Sequence, residues 1–176
     1  HCRSLKEKLV ENGIDHAGLV PTNRPTTTKI RIIGGHQQML RLDFEDASPI
    51  DGDDAQQYLS YIDKKLNESM DCVIISDYGK GACTEFACQH IISEAHDHGV
   101  PVIVDPKGAQ WAKYKGADYI TPNIKEINEI MLEPIANKDF DVEKAARYAM
   151  RKFGIRNVVL TRSAKGLSLI HGEEVV

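Results

Sequence analysis

No apolar run in this chain is long enough to span a bilayer, and its first residues show no signal-peptide pattern. An excess of basic charge is also missing. Lys and Arg number 22 against 26 Asp and Glu, and the formal charge of −4 removes the electrostatic case for nucleic acid or an anionic membrane as partner. Neither a Walker A pattern nor G-x-G-x-x-G occurs, so the P-loop and Rossmann fingerprints are absent. The cysteines, Cys2, Cys72, Cys83 and Cys88, have no C-x-x-C spacing. Cys72 opens an apolar strand and Cys83 and Cys88 fall in a helical stretch, so we expect reduced thiols in a cytoplasmic protein. There is no low-complexity segment and no internal repeat beyond an alternation of strands and helices.

That alternation dominates from residue 72 onward. Cys72–Tyr78, Pro101–Asp105, Tyr119–Thr121 and Asn157–Thr161 read as short apolar strands. Between them Thr84–His98, the segment from Thr121 through Met131, and Val142–Phe153 read as helices, with stops at Gly99 and Gly154. Continuous apolar runs spaced by helices predict a parallel sheet covered on both faces, an α/β fold. Earlier in the chain, Thr26–Ile33 and Gln37–Phe44 flank Gly34-Gly35 and predict a β-ribbon. In its second strand Leu40, Leu42 and Phe44 alternate with Arg41 and Asp43, so one face is apolar and the other charged. An acidic connector, 46–54, leads to a helix over Ala55–Leu66. We therefore divide the chain into an N-terminal helix and ribbon region, 1–54, and an α/β core, 55–176.

In a parallel sheet the carboxyl ends of the strands share one edge, where ligands bind in open α/β folds. Four polar clusters fall there: Ser76-Asp77-Tyr78-Gly79-Lys80-Gly81, Asp105-Pro106-Lys107-Gly108, Thr121-Pro122-Asn123 through Glu126, and Thr161-Arg162-Ser163 through Gly166. The third is the most informative. Thr121 or Asn123 can cap a helix whose first turn holds Glu126. An amide and a carboxylate at a strand end suit Mg²⁺, which is held through one or two carboxylates, waters and substrate phosphates. The glycines would let backbone approach a phosphate closely. His96-Asp97-His98 invites a metal reading, but histidines at a helix C-terminus already interact favourably with its dipole. Trp111, Tyr114 and Tyr119 are expected to pack under the loops more than to stack a base.

These segments, with Pro25-Thr26-Thr27-Thr28-Lys29-Ile30-Arg31 and Gln37-Gln38-Met39-Leu40-Arg41-Leu42-Asp43-Phe44-Glu45, resemble the ribokinase-like (PfkB-type) carbohydrate kinases. Within that family they are most similar to the heptose-7-phosphate kinase branch, found in bifunctional kinase/adenylyltransferase enzymes. The resemblance covers nearly the whole chain, in order and at similar spacing. It implies a three-layer α/β/α core with a small β-sheet lid, here the ribbon. It implies ATP and Mg²⁺ as cofactors and a sugar phosphate as substrate. By the same resemblance Asn123, Ile124, Lys125 and Glu126 meet the nucleotide phosphates, Glu126 organises the metal, and Thr161, Arg162, Ser163 and Gly166 lie along the nucleotide. Lys107, beside Asp105, is a candidate for a phosphate contact. Arg41, Asp77 and Lys80 are candidates on the sugar-phosphate side. The family also implies a homodimer through the lids and leaves room for an adenylyltransferase domain in the same parent chain.

The family's general base is an Asp in a Gly-Ala-Gly-Asp motif, and no such motif occurs here. The chain begins inside a helix-like run and stops as a strand is starting. We therefore expect a piece of a longer protein, truncated at both ends, with the base beyond Val176 and no catalytic residue of its own.

Overall fold

β-branched runs too short to be helices make the sheet, and the amphipathic segments between them fold back to cover it. The structure, a computed structural model, describes residues 2–176, with side chains from Ser4 onward. After α1 (Cys2–Glu11) come β1 (Thr28–Gly34), β2 (Gln37–Phe44), α2 (Gly52–Leu66) and β3 (Val73–Ser76). They are followed by α3 (Glu85–Asp97), β4 (Val102–Asp105), β5 (Tyr119–Ile120), α4 (Ile124–Asn128) and α5 (Asp139–Phe153). β6 (Asn157–Thr161), β7 (Leu167–His171) and β8 (Glu174–Val175) complete the chain.

β1 and β2 pair antiparallel as a separate two-stranded ribbon, as the sequence predicts. The main sheet runs in the order β3-β4-β5-β6-β7-β8. Its first four strands are parallel, whereas β7 and β8 return antiparallel. The strand expected to start at the end of the chain is β8, but neither β7 nor the antiparallel hairpin that the two form is expected from the sequence. The missed signal is the alternation in Leu167-Ser168-Leu169-Ile170, where Ser168 and Ile170 are buried and Leu167 is exposed.

The core lies on one side of the sheet. Val102, Val104, Ile120, Val158, Leu160 and Ile170 are fully buried. Against them pack Ala87, Ile91 and Ala95 of α3 and Val142, Ala145 and Ala149 of α5, at the three- and four-residue spacing of a helix face. Trp111 and Tyr114, on a single 3-10 turn, are also fully buried, in keeping with packing rather than base stacking. Thr84 starts α3 by accepting from the Ala87 amide at 3.1 Å, and Gly154 ends α5 in the left-handed conformation, φ 63°. The second face is less covered than expected: Ile74, whose neighbours in register point to that side, is 69% exposed. α4 is also shorter than predicted. It ends at Asn128 because that side chain accepts from the Ile135 amide at 2.8 Å and draws the chain into a turn.

Cys72, Cys83 and Cys88 are free thiols, and the reading of Cys2 lies outside the described side chains. No helix among the described residues is long and apolar enough to cross a membrane. The His96-Asp97-His98 stretch is engaged internally. His96 bonds Asp118 at 2.9 Å and His98 bonds the Glu94 carbonyl at 2.8 Å.

Asp118 ties the far edge of the sheet together. It accepts from the Val102 amide (2.8 Å), from His96 and from Arg156 (2.5 Å). Burial raises its pKa, but these bonds outweigh burial and hold it below the ordinary carboxylate value. A depressed folded pKa adds stability that is complete above the unfolded value and is lost as pH falls through the folded one. Asp118→Asn should therefore cost about 2 kcal/mol near neutrality. In denaturant titrations the gap between the variant and the parent should close as pH falls below about 4.

Candidate functional site

Parallel register brings the polar strand ends to one rim. Ser76 pairs with Asp105, and Val104 with Ile120, so Asp105 and Thr121 follow side by side. Beyond β5, Asn123 bridges Thr161, and the Thr161 amide donates to the Pro122 carbonyl at 2.8 Å. Pro122 has no amide hydrogen to leave unpaired and is itself fully buried. The third and fourth clusters are thereby stitched together.

Asn123 and Glu126 form a capping box. The Asn123 side-chain oxygen accepts from the amides of Lys125 (2.8 Å) and Glu126 (3.0 Å), while Glu126 Oε2 accepts from the Asn123 amide at 3.0 Å. This fixes the Glu126 carboxylate and leaves its second oxygen, Oε1, 3.5 Å from Lys107 Nζ. Asp105 stands close enough that burial and then the Glu126 charge push its pKa up, against the opposing pull of Lys107. Two crowded carboxylates and one lysine, on the rim of a parallel sheet, can hold a divalent cation and the oxygens of a phosphate. No cluster of three or more His, Cys, Asp or Glu occurs among the described residues, so waters and phosphates would complete such an ion's shell. Ile124 and Lys125 begin α4 beside this group, and Lys125 is exposed.

Asp77 and Arg162 are on the rim by position, but their charged groups are used inside the protein. The Asp77 carboxylate is buried and accepts from Lys113 Nζ (2.5 Å), the Tyr114 hydroxyl (2.6 Å) and the Gly79 amide (2.6 Å). Burial raises its pKa, but these donors outweigh burial and keep it ionised below the usual range. The same contact, together with burial, pushes the Tyr114 phenol up. The Arg162 guanidinium is buried and donates to Asn137 Oδ1 (2.8 Å) and Ser168 Oγ (3.0 Å), with Asp139 2.7 Å away. Thr161, the exposed last residue of β6, and Ser163 and Gly166 on the loop after it remain accessible. Ser163 has φ 58°, the one left-handed non-glycine residue among those described. Such strain is held in place only by its surroundings, here the bond from the Arg162 amide to the Gly166 carbonyl at 2.7 Å.

The ribbon is rooted on the same rim. Lys80 forms an ion pair with Glu45, just past β2. Arg24 donates to the Ser48 and Lys80 carbonyls, and the Ile50 amide donates to the Gly81 carbonyl at 2.9 Å. Gly81 has φ 85°, and a Cβ there would meet the Ser48 oxygen at 1.8 Å, so only glycine permits this approach. Arg41 lies out on the ribbon, bonded to Asp43 at 2.9 Å, apart from the Asp105–Glu126 group. Sequence reasoning missed Arg24, Glu45, Lys113 and Asn137. Arg24, Lys113 and Asn137 stand at no strand end, Glu45 follows a ribbon strand and not one of the main sheet, and only the tertiary fold carries them to the rim loops.

Arg162→Leu would leave Asn137 and Ser168 without their partner. It should lower stability by about 3 kcal/mol in chemical denaturation. An unchanged unfolding midpoint would show that the guanidinium is free to serve a ligand instead.

The family model described as pfkB family carbohydrate kinase matches residues 2–176. Bifunctional protein HldE of Gluconacetobacter diazotrophicus is 37% identical over 169 residues, covering 96% of this chain and 33% of that protein. Bifunctional protein HldE of Wolinella succinogenes is 39% identical over 168 residues, covering 95% of this chain and 35% of that protein. The chain thus spans about a third of the length of these relatives. Phosphofructokinase-2 from Escherichia coli in complex with potassium superposes with TM-score 0.75 at 18% identity, over 99% of this chain and 56% of that one. Ribokinase from Giardia lamblia gives TM-score 0.75 at 12% identity, over 99% and 53%. At such identities the likeness establishes the ribokinase-like α/β fold and nothing finer. The chain belongs to the pfkB family of carbohydrate kinases.

Proposed function

We propose that this chain is part of an ATP-dependent kinase that phosphorylates the anomeric hydroxyl of D-glycero-D-manno-heptose 7-phosphate, a step toward ADP-heptose for the lipopolysaccharide core. The observation that carries the proposal is the rim group, in which a capping box fixes Glu126 with one oxygen free beside Lys107 and Asp105. Family membership and relatives at 37 and 39% identity support the heptose branch. The 1–54 region then serves as lid and the 55–176 region as nucleotide-binding core.

Mg²⁺ would be held by Glu126, with Asp105 beside it, and would supply charge neutralisation at the transferring phosphoryl group. Lys107 would meet a phosphate oxygen after exchanging its contact with Glu126. The backbone from Asn123 to Glu126 would line the phosphates, and Thr161, Ser163 and Gly166 the rest of the nucleotide. We assign Arg162 and Asp77 supporting parts, holding the loops that carry these contacts. Phosphoryl transfer depends on positioning and electrostatics more than on covalent help from the protein. It still requires a base for the attacking hydroxyl. Without a Gly-Ala-Gly-Asp motif in these 176 residues, we place that base elsewhere in the parent protein. An adenylyltransferase domain in the same parent chain is part of the proposal, as is a homodimer through the exposed apolar face of the ribbon (Ile30, Ile32, Leu40, Leu42 and Phe44).

ATP-dependent ADP release by the full-length protein tests this directly, with heptose 7-phosphate, fructose 6-phosphate and ribose offered in parallel. Preference for the heptose phosphate is expected. Preference for another sugar would replace the substrate, and silence from folded protein would replace the kinase reading. The 176-residue chain alone should show negligible turnover. In the full-length protein Glu126→Gln should lower kcat by about 100-fold and raise the Mg²⁺ concentration needed for half-maximal rate. An unchanged magnesium profile would remove Glu126 from the metal's shell.

A further inference from the structure

A single 3-10 turn, Trp111–Tyr114, holds both loops that carry the Asp77 and Lys107 clusters. The Trp111 indole donates to the Gly108 carbonyl at 2.9 Å, one residue past Lys107. Lys113 Nζ donates to Asp77 (2.5 Å) and to the Cys83 carbonyl (3.2 Å), further along the loop after β3. Tyr114 touches both loops through one oxygen. Its hydroxyl donates to Asp77 Oδ2 at 2.6 Å and accepts from the Lys107 amide at 3.2 Å. The turn is itself braced from α3, where Gln89 donates to the Lys113 and Lys115 carbonyls, each at 3.0 Å.

Packing alone would be met by phenylalanine. Tyr114 is fully buried, and a buried phenol needs a partner for its hydroxyl. Here it has two, one on each loop, and the bond to the ionised carboxylate is the stronger. Donation to that carboxylate leaves the oxygen's lone pairs for the Lys107 amide, so each bond reinforces the other. The loops also meet directly. A Cβ on Gly79 would stand 3.5 Å from Lys107 Cγ, and the Gly79 amide is fixed on Asp77 Oδ1 at 2.6 Å.

Each loop carries something different. The loop after β3 grips the root of the ribbon, through Lys80 on Glu45 and the Gly81 carbonyl on the Ile50 amide. The loop after β4 presents Lys107, whose side chain is half-exposed with its amine 3.5 Å from Glu126. A flexible lysine reaches only as far as its own backbone allows, and the Tyr114 hydroxyl holds that backbone.

We infer that Tyr114 is a positioning residue, a joint whose hydroxyl ties the root of the ribbon to the backbone of Lys107 and so sets where that lysine meets a phosphate. The phosphate contact of Lys107 rests on the kinase reading above, but the joint does not.

Tyr114→Phe in the full-length protein removes the hydroxyl and leaves the ring and the Lys113–Asp77 pair in place. Amide hydrogen exchange reads the joint without a ligand. The Lys107 and Gly79 amides, one on each loop, should exchange about tenfold faster in the variant, while the Val102 amide held by Asp118 stays unchanged. Calorimetric titration with Mg·ADP reads the consequence. Tyr114→Phe should weaken binding about 5- to 10-fold, and in a Lys107→Ala background the same substitution should cost less than about twofold. A hydroxyl with a merely structural role would give equal losses with and without Lys107. Equal losses, no weakening, unchanged exchange at Lys107, or acceleration at Val102 as large as at Lys107 would overturn the joint. Failure of Mg·ADP to bind even the parent, with Lys107 exchange still accelerated by Tyr114→Phe, would refute the kinase reading and leave the joint standing.

Discussion

Parallel pairing of four short strands is the constraint on which the rest of this molecule depends. Because β3 to β6 run the same way in register, Asp77, Asp105, Asn123 and Thr161 leave the sheet on the same side. The bridge from Asn123 to Thr161 then carries the register one step past β5, where regular pairing has stopped. A helix only five residues long could not hold a carboxylate firmly on propensity alone. The capping box supplies the rigidity, and the buried Pro122 beneath it prevents the loop from sagging into the core.

The rim separates its charges into two populations. Asp77, with Lys113 and Tyr114, and Arg162, with Asn137, Ser168 and the Asp139 carboxylate, are buried and engaged inside the protein, so they define loop shape. Glu126, Lys107 and Asp105 are less fully engaged: one oxygen of Glu126 has only a 3.5 Å lysine neighbour, and Asp105 is held above its ordinary pKa. Burial of the first group is what keeps the second group available. A loop whose charged side chains were all free would collapse onto its own counter-ions, and none would remain for a ligand. The ribbon follows the same division, with Lys80 and Glu45 committed to the root and the guanidiniums of Arg31 and Arg41 further out.

Much of this was legible in the sequence, for reasons of period and punctuation. Val73–Ser76, Val102–Asp105 and Asn157–Thr161 are apolar runs too short for helices, and α5 ends at the glycine that marks it. The ribbon was legible from Gly34-Gly35 and the alternation that follows. β7, and so its hairpin with β8, was not, because its alternation begins immediately after a loop that reads as a ligand contact. Asn123 and Glu126 were visible as a cap because the four residues involved are adjacent in sequence. The commitments of Asp77 and Arg162 were invisible, since Asp77 meets Lys113 and Tyr114 from 36 and 37 positions away and Arg162 meets Asn137 from 25. Sequence spacing identifies which residue reaches the rim; only the fold decides whether its charge is still available there.

The central claim is that the Asn123–Glu126 capping box, with Lys107, forms the floor of a magnesium–nucleotide site. Amide chemical-shift mapping of the isotopically labelled protein during titration with Mg·ADP tests it most directly. The account predicts the largest shifts at Asn123 to Glu126, Gly108 and Gly166, lost when Mg²⁺ is withheld, with the far-edge Asp118 network unmoved. Saturable shifts confined to other surfaces, or the same shifts without magnesium, would contradict it.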